Sequence, residues 1–434
     1  MSLITIGIIG VVVLLLLFAL GMPVAFAMAL VGFAGFAYLV SPGAGFELLA
    51  VEIFENFSSY SLTVIPMFVF MGTIAFEAGI SRRLYDATYS IFGQMRGGLA
   101  IATVGACAGF SAICGSTNAT AASMARVALP EMQRHGYGDT LATGCVTSAG
   151  SLGILIPPSA LLIVYGVLTQ QAIGELFIAG VLPGILLASL FIITVIILCW
   201  RNPALGPAGP ATTLKQKVTG LSGVTEMLVL FIMVMAGLFL GWFSPTQAGG
   251  AGAAGALIIA LVRREMGWRG FVNAAKDALL ITCMVMLIVA GAMIFGKFVA
   301  VTKIPFVLSD WAGNLPIPAI AIMAIIVFIH LIGGCFMDAF ALIVLTVPIV
   351  YPVVLALNYD PVWFGIIIVL VAEMGTITPP VGINAYVVSG VAEDVPLTTI
   401  FKGIFPFLGA LIVATILLLA FPEIATFLPS FMTY

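Results

Sequence analysis

Ser151-Leu152-Gly153-Ile154-Leu155-Ile156-Pro157-Pro158-Ser159 and Glu373-Met374-Gly375-Thr376-Ile377-Thr378-Pro379-Pro380 carry one motif, Gly-x-x-x-Pro-Pro, at positions 222 residues apart. Each copy lies in the middle of a long apolar run, about 139–170 and about 358–392. Two consecutive prolines remove two amide donors and stop a helix. A helix stopped inside hydrocarbon leaves amides and carbonyls that lipid cannot satisfy. It is tolerated only where those groups are buried in protein or line a polar cavity.

Composition places these runs in a membrane. Of the 434 residues, 62% are hydrophobic and 8% charged, against about 25% charged in a soluble domain. The apolar runs last about 17–25 residues without alternation, which excludes a β-barrel and predicts an all-α polytopic protein in the lipid bilayer. A net charge of −3 supplies no basic patch for nucleic acid. The six cysteines lie singly in apolar stretches and read as packing residues. Met1 to Leu20 lacks a basic start and a cleavage site, and reads as a first span.

Working outward from the breaks, spans are expected near 3–20, 23–40, 60–80 and 176–200, with an amphipathic stretch at 46–57. A Pro/Gly-rich loop, 201–222, leads to spans near 224–241, 246–262, 280–300 and 400–420, with an amphipathic stretch at 268–280. Two further segments, 98–133 and 316–352, are apolar but interrupted by Cys114-Gly115-Ser116-Thr117-Asn118-Ala119-Thr120 and by Gly333-Gly334-Cys335-Phe336-Met337-Asp338. Each flank is too short for a core of ~30 Å at 1.5 Å per residue, so both read as re-entrant hairpins with polar tips near mid-membrane. The expected total is about eleven full spans plus two hairpins.

Landmarks recur at a nearly fixed offset. Pro23 pairs with Pro245 (222 apart), Gly72 with Gly291 (219 apart) and Pro130 with Pro348 (218 apart). The ordered series marks an internal duplication, 1–222 and 223–434. With both termini outside, cytoplasmic segments hold Arg82, Arg83, Arg96, Arg134, Arg201, Lys215, Lys217, Arg263, Arg264, Arg269, Lys276 and Lys402, which is 12 of the 15 Lys+Arg. The reverse orientation violates the positive-inside rule. In this frame the first hairpin enters from the cytoplasm and the second from outside, so the two repeats are inverted. Inverted repeats with helices broken at the midplane are the signature of secondary transporters.

The chemistry expected there is oxygen chemistry. Ser116-Thr117-Asn118 offers hydroxyls and an amide, and the segment before Pro157-Pro158 offers free carbonyls, together a cage for a hard cation. A second cage draws on Gly333, Gly334, Asp338, Gly375, Thr376 and Thr378. A carboxylate as deep as Asp338 calls for a cation or donor partner, and Asp338 can equally cap a hairpin helix. Glu373 is either an ion carboxylate or scaffold. Asn384 either satisfies broken backbone or touches solute. Arg126, ~12 Å along the helix from Asn118 at 1.5 Å per residue, either meets an anion or snorkels to the interface. No catalytic constellation stands against this: the histidines, His135 and His330, are far apart, Asp338 has no second Asp, and no P-loop is present. A channel is a weaker reading than a carrier, and an intramembrane enzyme weaker still.

The tip Gly115–Thr120 and the runs Ser151–Ser159 and Glu373–Asn384 resemble the large membrane subunit of TRAP (tripartite ATP-independent periplasmic) transporters over essentially the whole chain. Gln247, in Ser244-Pro245-Thr246-Gln247-Ala248, departs from the acidic residue expected there. The resemblance implies uptake of an organic acid such as a C4-dicarboxylate or sialic acid, coupled to Na⁺, with two ions and no covalent cofactor. It implies a small four-helix membrane subunit and a periplasmic binding protein as partners, a bacterial inner-membrane location, and elevator-type motion of hairpins and broken helices against a scaffold. It carries the Na⁺ sites over to Ser116, Asn118, Gly153 and Pro158, and to Gly333, Gly375, Thr376 and Thr378. The residues placed to touch the organic anion are then Ser116, Thr117, Ser159, Asp338, Asn384 and Arg126. A stand-alone Na⁺/dicarboxylate carrier of the same superfamily is the alternative.

Overall fold

Prolines, left-handed glycines and side-chain caps set the helix boundaries in the computed structural model, which describes residues 1–209 and 222–432. Among the described residues every regular element is helical. α1 (Leu3–Ala19) and α2 (Val24–Leu39) meet at a tight turn in which Gly21 has φ +82°, a conformation open to a residue without Cβ. α3 (Pro42–Ser58) starts on the Ser41 hydroxyl as cap and leads into α4 (Val64–Glu77). α5 (Ile80–Phe92) precedes the first hairpin, α6 (Gly98–Cys114) and α7 (Thr117–Arg134), which turns at Gly115 with φ +61°. α8 (Asp139–Gly150) and the single turn α9 (Leu152–Leu155) run up to Pro157-Pro158. α10 (Ala160–Thr169) resumes beyond the break, and α11 (Ile173–Arg201) follows.

The second half continues with α12 (Ser222–Phe239), α13 (Pro245–Arg263), α14 (Trp268–Val301) and α15 (Ile304–Gly313). Its hairpin is α16 (Ala319–Gly334) and α17 (Ala339–Ala356). α18 (Pro361–Ile377) and α19 (Ile383–Ser389) flank the second break, before α20 (Leu397–Ala420) and α21 (Glu423–Thr426). The Pro157–Pro158 and Pro379–Pro380 bonds are both cis. Residues 210–221, with Lys215, Lys217 and most of the stretch expected as a Pro/Gly-rich loop between the two repeats, lie outside the described residues.

Helices end and resume at Gly115, at Pro157-Pro158, between Gly334 and Ala339 and at Pro379-Pro380. Three features differ from the sequence reading. α5 and α15 are helices in stretches for which the sequence reading names no span. α5 is amphipathic, burying Ile80, Leu84 and Tyr85 while Arg82 and Asp86 face outward. The stretch at 268–280 and the span at 280–300 form one helix of 34 residues. Asp277-Ala278-Leu279-Leu280-Ile281-Thr282-Cys283 contains no glycine or proline to stop it. In the first half Ser59 is extended, and the chain bends by 56° between Pro42–Ser58 and Ser61–Glu77. Finally, six described helices are long and apolar enough to cross a membrane, or seven if that bent pair counts as one span. Length and hydropathy alone therefore do not return eleven.

The halves interlock reciprocally. α2 packs on α14 as α13 packs on α4, α8 on α20 as α18 on α11, and α10 on α17 as α19 on α7. Several of these contacts are backbone to backbone. A Cβ on Gly403 would sit 2.0 Å from the Thr140 carbonyl oxygen, and one on Gly32 would sit 2.7 Å from the Phe295 nitrogen. On one face of the assembly Arg83 of α5 pairs with Glu265 and, at 2.8 Å, with Glu226 of α12; Arg263 of α13 reaches the other Glu226 oxygen at 2.5 Å.

Candidate transport site

Each hairpin tip is docked on the break of its own half. Gly115 lies against Pro158, where a Cβ would come within 2.3 Å of the Pro158 carbonyl oxygen, and the Ala160 amide donates to the Gly115 carbonyl at 3.4 Å. Gly153 lies against Ser116, where a Cβ would meet the carbonyl oxygen at 2.6 Å. The second half repeats this. The Val381 amide donates to the Cys335 carbonyl at 3.3 Å, and a Cβ on Gly375 would come within 2.3 Å of the Gly334 Cα. The glycine of each Gly-x-x-x-Pro-Pro is thus the place where a tip and a break touch without side chains between them.

Caps orient the tips. The Ser116 hydroxyl accepts from the Ala119 amide at 3.5 Å, and its carbonyl accepts from the Thr120 hydroxyl at 2.8 Å. The Asp338 carboxylate accepts from the Phe340 amide at 3.0 Å, and the Ser159 hydroxyl accepts from the Leu162 amide at 3.3 Å. The Thr376 hydroxyl donates to the Glu373 carbonyl at 2.9 Å, and the Thr378 hydroxyl to the Met374 carbonyl at 2.5 Å. With their protons committed to backbone, both threonine oxygens keep lone pairs for a cation.

A cavity of about 800 Å³ joins these parts. Its wall includes Ser116, Thr117, Asn118, Arg126, Pro158, Asp338 and Thr376, so seven sequence-selected residues from both halves share one space. The first residues of α7, α10, α17 and α19 also reach it, through Thr117–Ala119, Ala160, Ala339–Ala341 and Ile383. Helix N-termini carry partial positive charge and free amides, which favour an anion.

The other selected residues stand behind the wall. Gly153, Gly333, Gly375 and Thr378 do not line the cavity. Ser159 and Asn384 are fully buried, Ser159 as the α10 cap and Asn384 on Glu373, whose Oε1 accepts from Nδ2 at 3.0 Å. Sequence reasoning missed Asp277. It lines the cavity from α14 in a stripe with Ile281, Met284 and Ile288, the four-, seven- and eleven-residue spacing of one helix face. That stripe was readable only once 268–301 was known to be a single helix.

Arg126 is exposed into the cavity, and among the described residues neither it nor Asp277 forms an ion pair. A planar guanidinium there suits a carboxylate. Arg126→Ala is expected to lower uptake about tenfold, the equivalent of ~1.4 kcal/mol, with Arg126→Lys intermediate; unchanged uptake by the alanine variant in proteoliposomes would leave snorkelling as its role.

A family model described as "Tripartite ATP-independent periplasmic transporter, DctM component" matches residues 11–424. The C4-dicarboxylate TRAP transporter large permease protein DctM of Pseudomonas aeruginosa is 36% identical over 385 residues, 88% of this chain and 90% of that protein. The sialic acid TRAP transporter large permease protein SiaM of Vibrio cholerae is 31% identical over 416 residues, 95% of this chain and 96% of that one. Among solved structures, the Alcanivorax borkumensis YdaH transporter matches with a TM-score of 0.64 at 14% identity, covering 87% of this chain and 89% of that one, a likeness of fold.

Proposed function

The chain belongs to the DctM component family of tripartite ATP-independent periplasmic transporters, and on that premise we propose that it carries an organic anion across the bacterial inner membrane, driven by Na⁺. The observation that carries the reading is the single cavity into which both hairpin tips, four helix N-termini and Arg126 converge. The anion is a carboxylate, as the names of the C4-dicarboxylate and sialic acid relatives suggest. Arg126 and the ends of α7 and α17 hold it, with Ser116, Thr117 and Asp338 as polar neighbours. Ser159 and Asn384 shape the site from behind.

Na⁺ is the co-transported ion. One ion takes Ser116, Asn118 and the backbone of Gly153 and Pro158; the other takes Gly333, Gly375, Thr376 and Thr378. Hydroxyl, amide and carbonyl oxygens at unwound helix ends are the ligand type such ions use.

The two halves are inverted repeats, and their reciprocal packing supports this. Both termini lie on the periplasmic side, which requires an even number of crossings; ten satisfy it, one fewer than the sequence reading. In that frame Pro23, Arg126 and Asp277 stand toward the cytoplasmic end of the cavity. Transport proceeds by elevator motion of the hairpins and broken helices against α1, α2, α12, α13, the last span of each half (α11 and α20) and the amphipathic stretches at 46–57 and 268–280. A small four-helix subunit braces the scaffold and a periplasmic binding protein delivers substrate, which separates this reading from a stand-alone carrier.

The test is uptake into proteoliposomes holding this chain and the small subunit, with substrate-loaded binding protein outside. Uptake is expected only with an inward Na⁺ gradient. Equal uptake without Na⁺ overturns the coupling; uptake without binding protein favours the stand-alone carrier.

A further inference from the structure

Glu373 and Asn384 flank the second break, eleven residues apart, and both side chains are buried, at 1% and 0% exposure. The Asn384 amide donates to Glu373 Oε1 at 3.0 Å. This bond ties the last turns of α18 directly to α19. Between them the backbone offers little support: the Thr378 amide closes on Gly375, and the Val381 amide leaves for the hairpin carbonyl of Cys335. α19 has only seven residues, too few for a helix to hold itself. Thr376, whose hydroxyl bonds the Glu373 carbonyl, is carried on the same turn into the cavity wall. The first break has no such device. The positions 222 residues earlier are Ser151, whose hydroxyl returns to the Ser148 carbonyl at 2.5 Å, and Leu162.

We propose that Glu373 and Asn384 are positioning residues, a polar latch across the second break that holds residues 375–378 in place and itself touches neither anion nor ion, a role that presupposes the coupling-ion reading of Gly375, Thr376 and Thr378. The latch is half made. Glu373 Oε2 and Asn384 Oδ1 have no partner among the described residues. Glutamine at 373 keeps the acceptor that Asn384 uses and puts an NH₂ where the unpartnered Oε2 stands, so Glu373→Gln keeps the latch. A carboxylate that ligates a cation behaves oppositely, because glutamine removes its charge.

The experiment compares wild type, Glu373→Gln, Glu373→Ala, Asn384→Ala and the double alanine variant in the reconstituted uptake assay, reading maximal rate and the Na⁺ concentration for half-maximal uptake. Glu373→Gln is expected within about twofold of wild type in both. Each alanine variant is expected to raise half-saturating Na⁺ about tenfold, and the double variant to be no worse than either single, the mark of two residues acting as a unit. Where an alanine variant does not survive purification, Glu373→Met keeps the bulk and removes the bond. Glutamine behaving like alanine, or additive single effects, overturns the latch. Wild-type uptake indifferent to Na⁺ overturns the coupling reading instead, and the latch is then decided by maximal rate, kept in the glutamine variant and lost in the alanine ones.

Discussion

A single methyl group at Gly375 is expected to abolish transport. Its Cβ would stand 2.3 Å from both Cα and C of Gly334 and 2.7 Å from the Gly334 oxygen, all backbone atoms. No flexible side chain is present to yield, so tip and break must separate, and the Val381–Cys335 hydrogen bond goes with them. Overpacking costs roughly 1–3 kcal/mol even where side chains can adjust. At ~1.4 kcal/mol per factor of ten, the low end of that range makes a loss of about fivefold the floor for Gly375→Ala. Gly153→Ala, with its Cβ 2.6 Å from the Ser116 oxygen, is expected to act the same way in the first half. Gly296 is the control, since a Cβ there meets nothing within 4 Å. Uptake per inserted protein is the measurement. Wild-type uptake by Gly375→Ala would mean that the tip does not rest on the break during the cycle.

The second large effect is on the ion. Asn118→Ala and Thr376→Ala each delete one side-chain oxygen from the cavity wall. Each is expected to raise half-saturating Na⁺ about tenfold, the equivalent of ~1.4 kcal/mol. Thr376→Ser keeps the oxygen and its bond to the Glu373 carbonyl, and is expected near wild type. The two residues lie in different halves, so the double variant distinguishes two ions from one: independent sites give additive effects. Uptake whose Na⁺ dependence is unchanged in both single variants would remove these residues from the ion sites.

The sequence by itself determined the class and marked where helices stop, because each rests on local chemistry. A proline pair stops a helix wherever it occurs, and a polar tip in an apolar run too short to span twice can only turn back. It was weaker on helices with one wet face. α5 alternates charge with apolar residues and reads as no span until its buried stripe is seen. α14 joins an amphipathic arm to a span with no residue to mark the seam.

What only the tertiary structure decided is which oxygen faces which space. Within a helix the 3.6-residue period fixes neighbours on one face, but at a break that period is lost, and the direction of each side chain depends on what docks against it. From sequence Asn384 reads equally as support for the broken backbone or as a solute contact; the structure shows its bond to Glu373, and the Ser159 hydroxyl accepting from the Leu162 amide at the start of α10. Arg126 and Asp277, 151 residues apart in the chain, share a cavity that neither segment encodes alone. The breaks were legible because stopping a helix is a property of two residues; the site was not, because it exists only where two breaks and two tips meet.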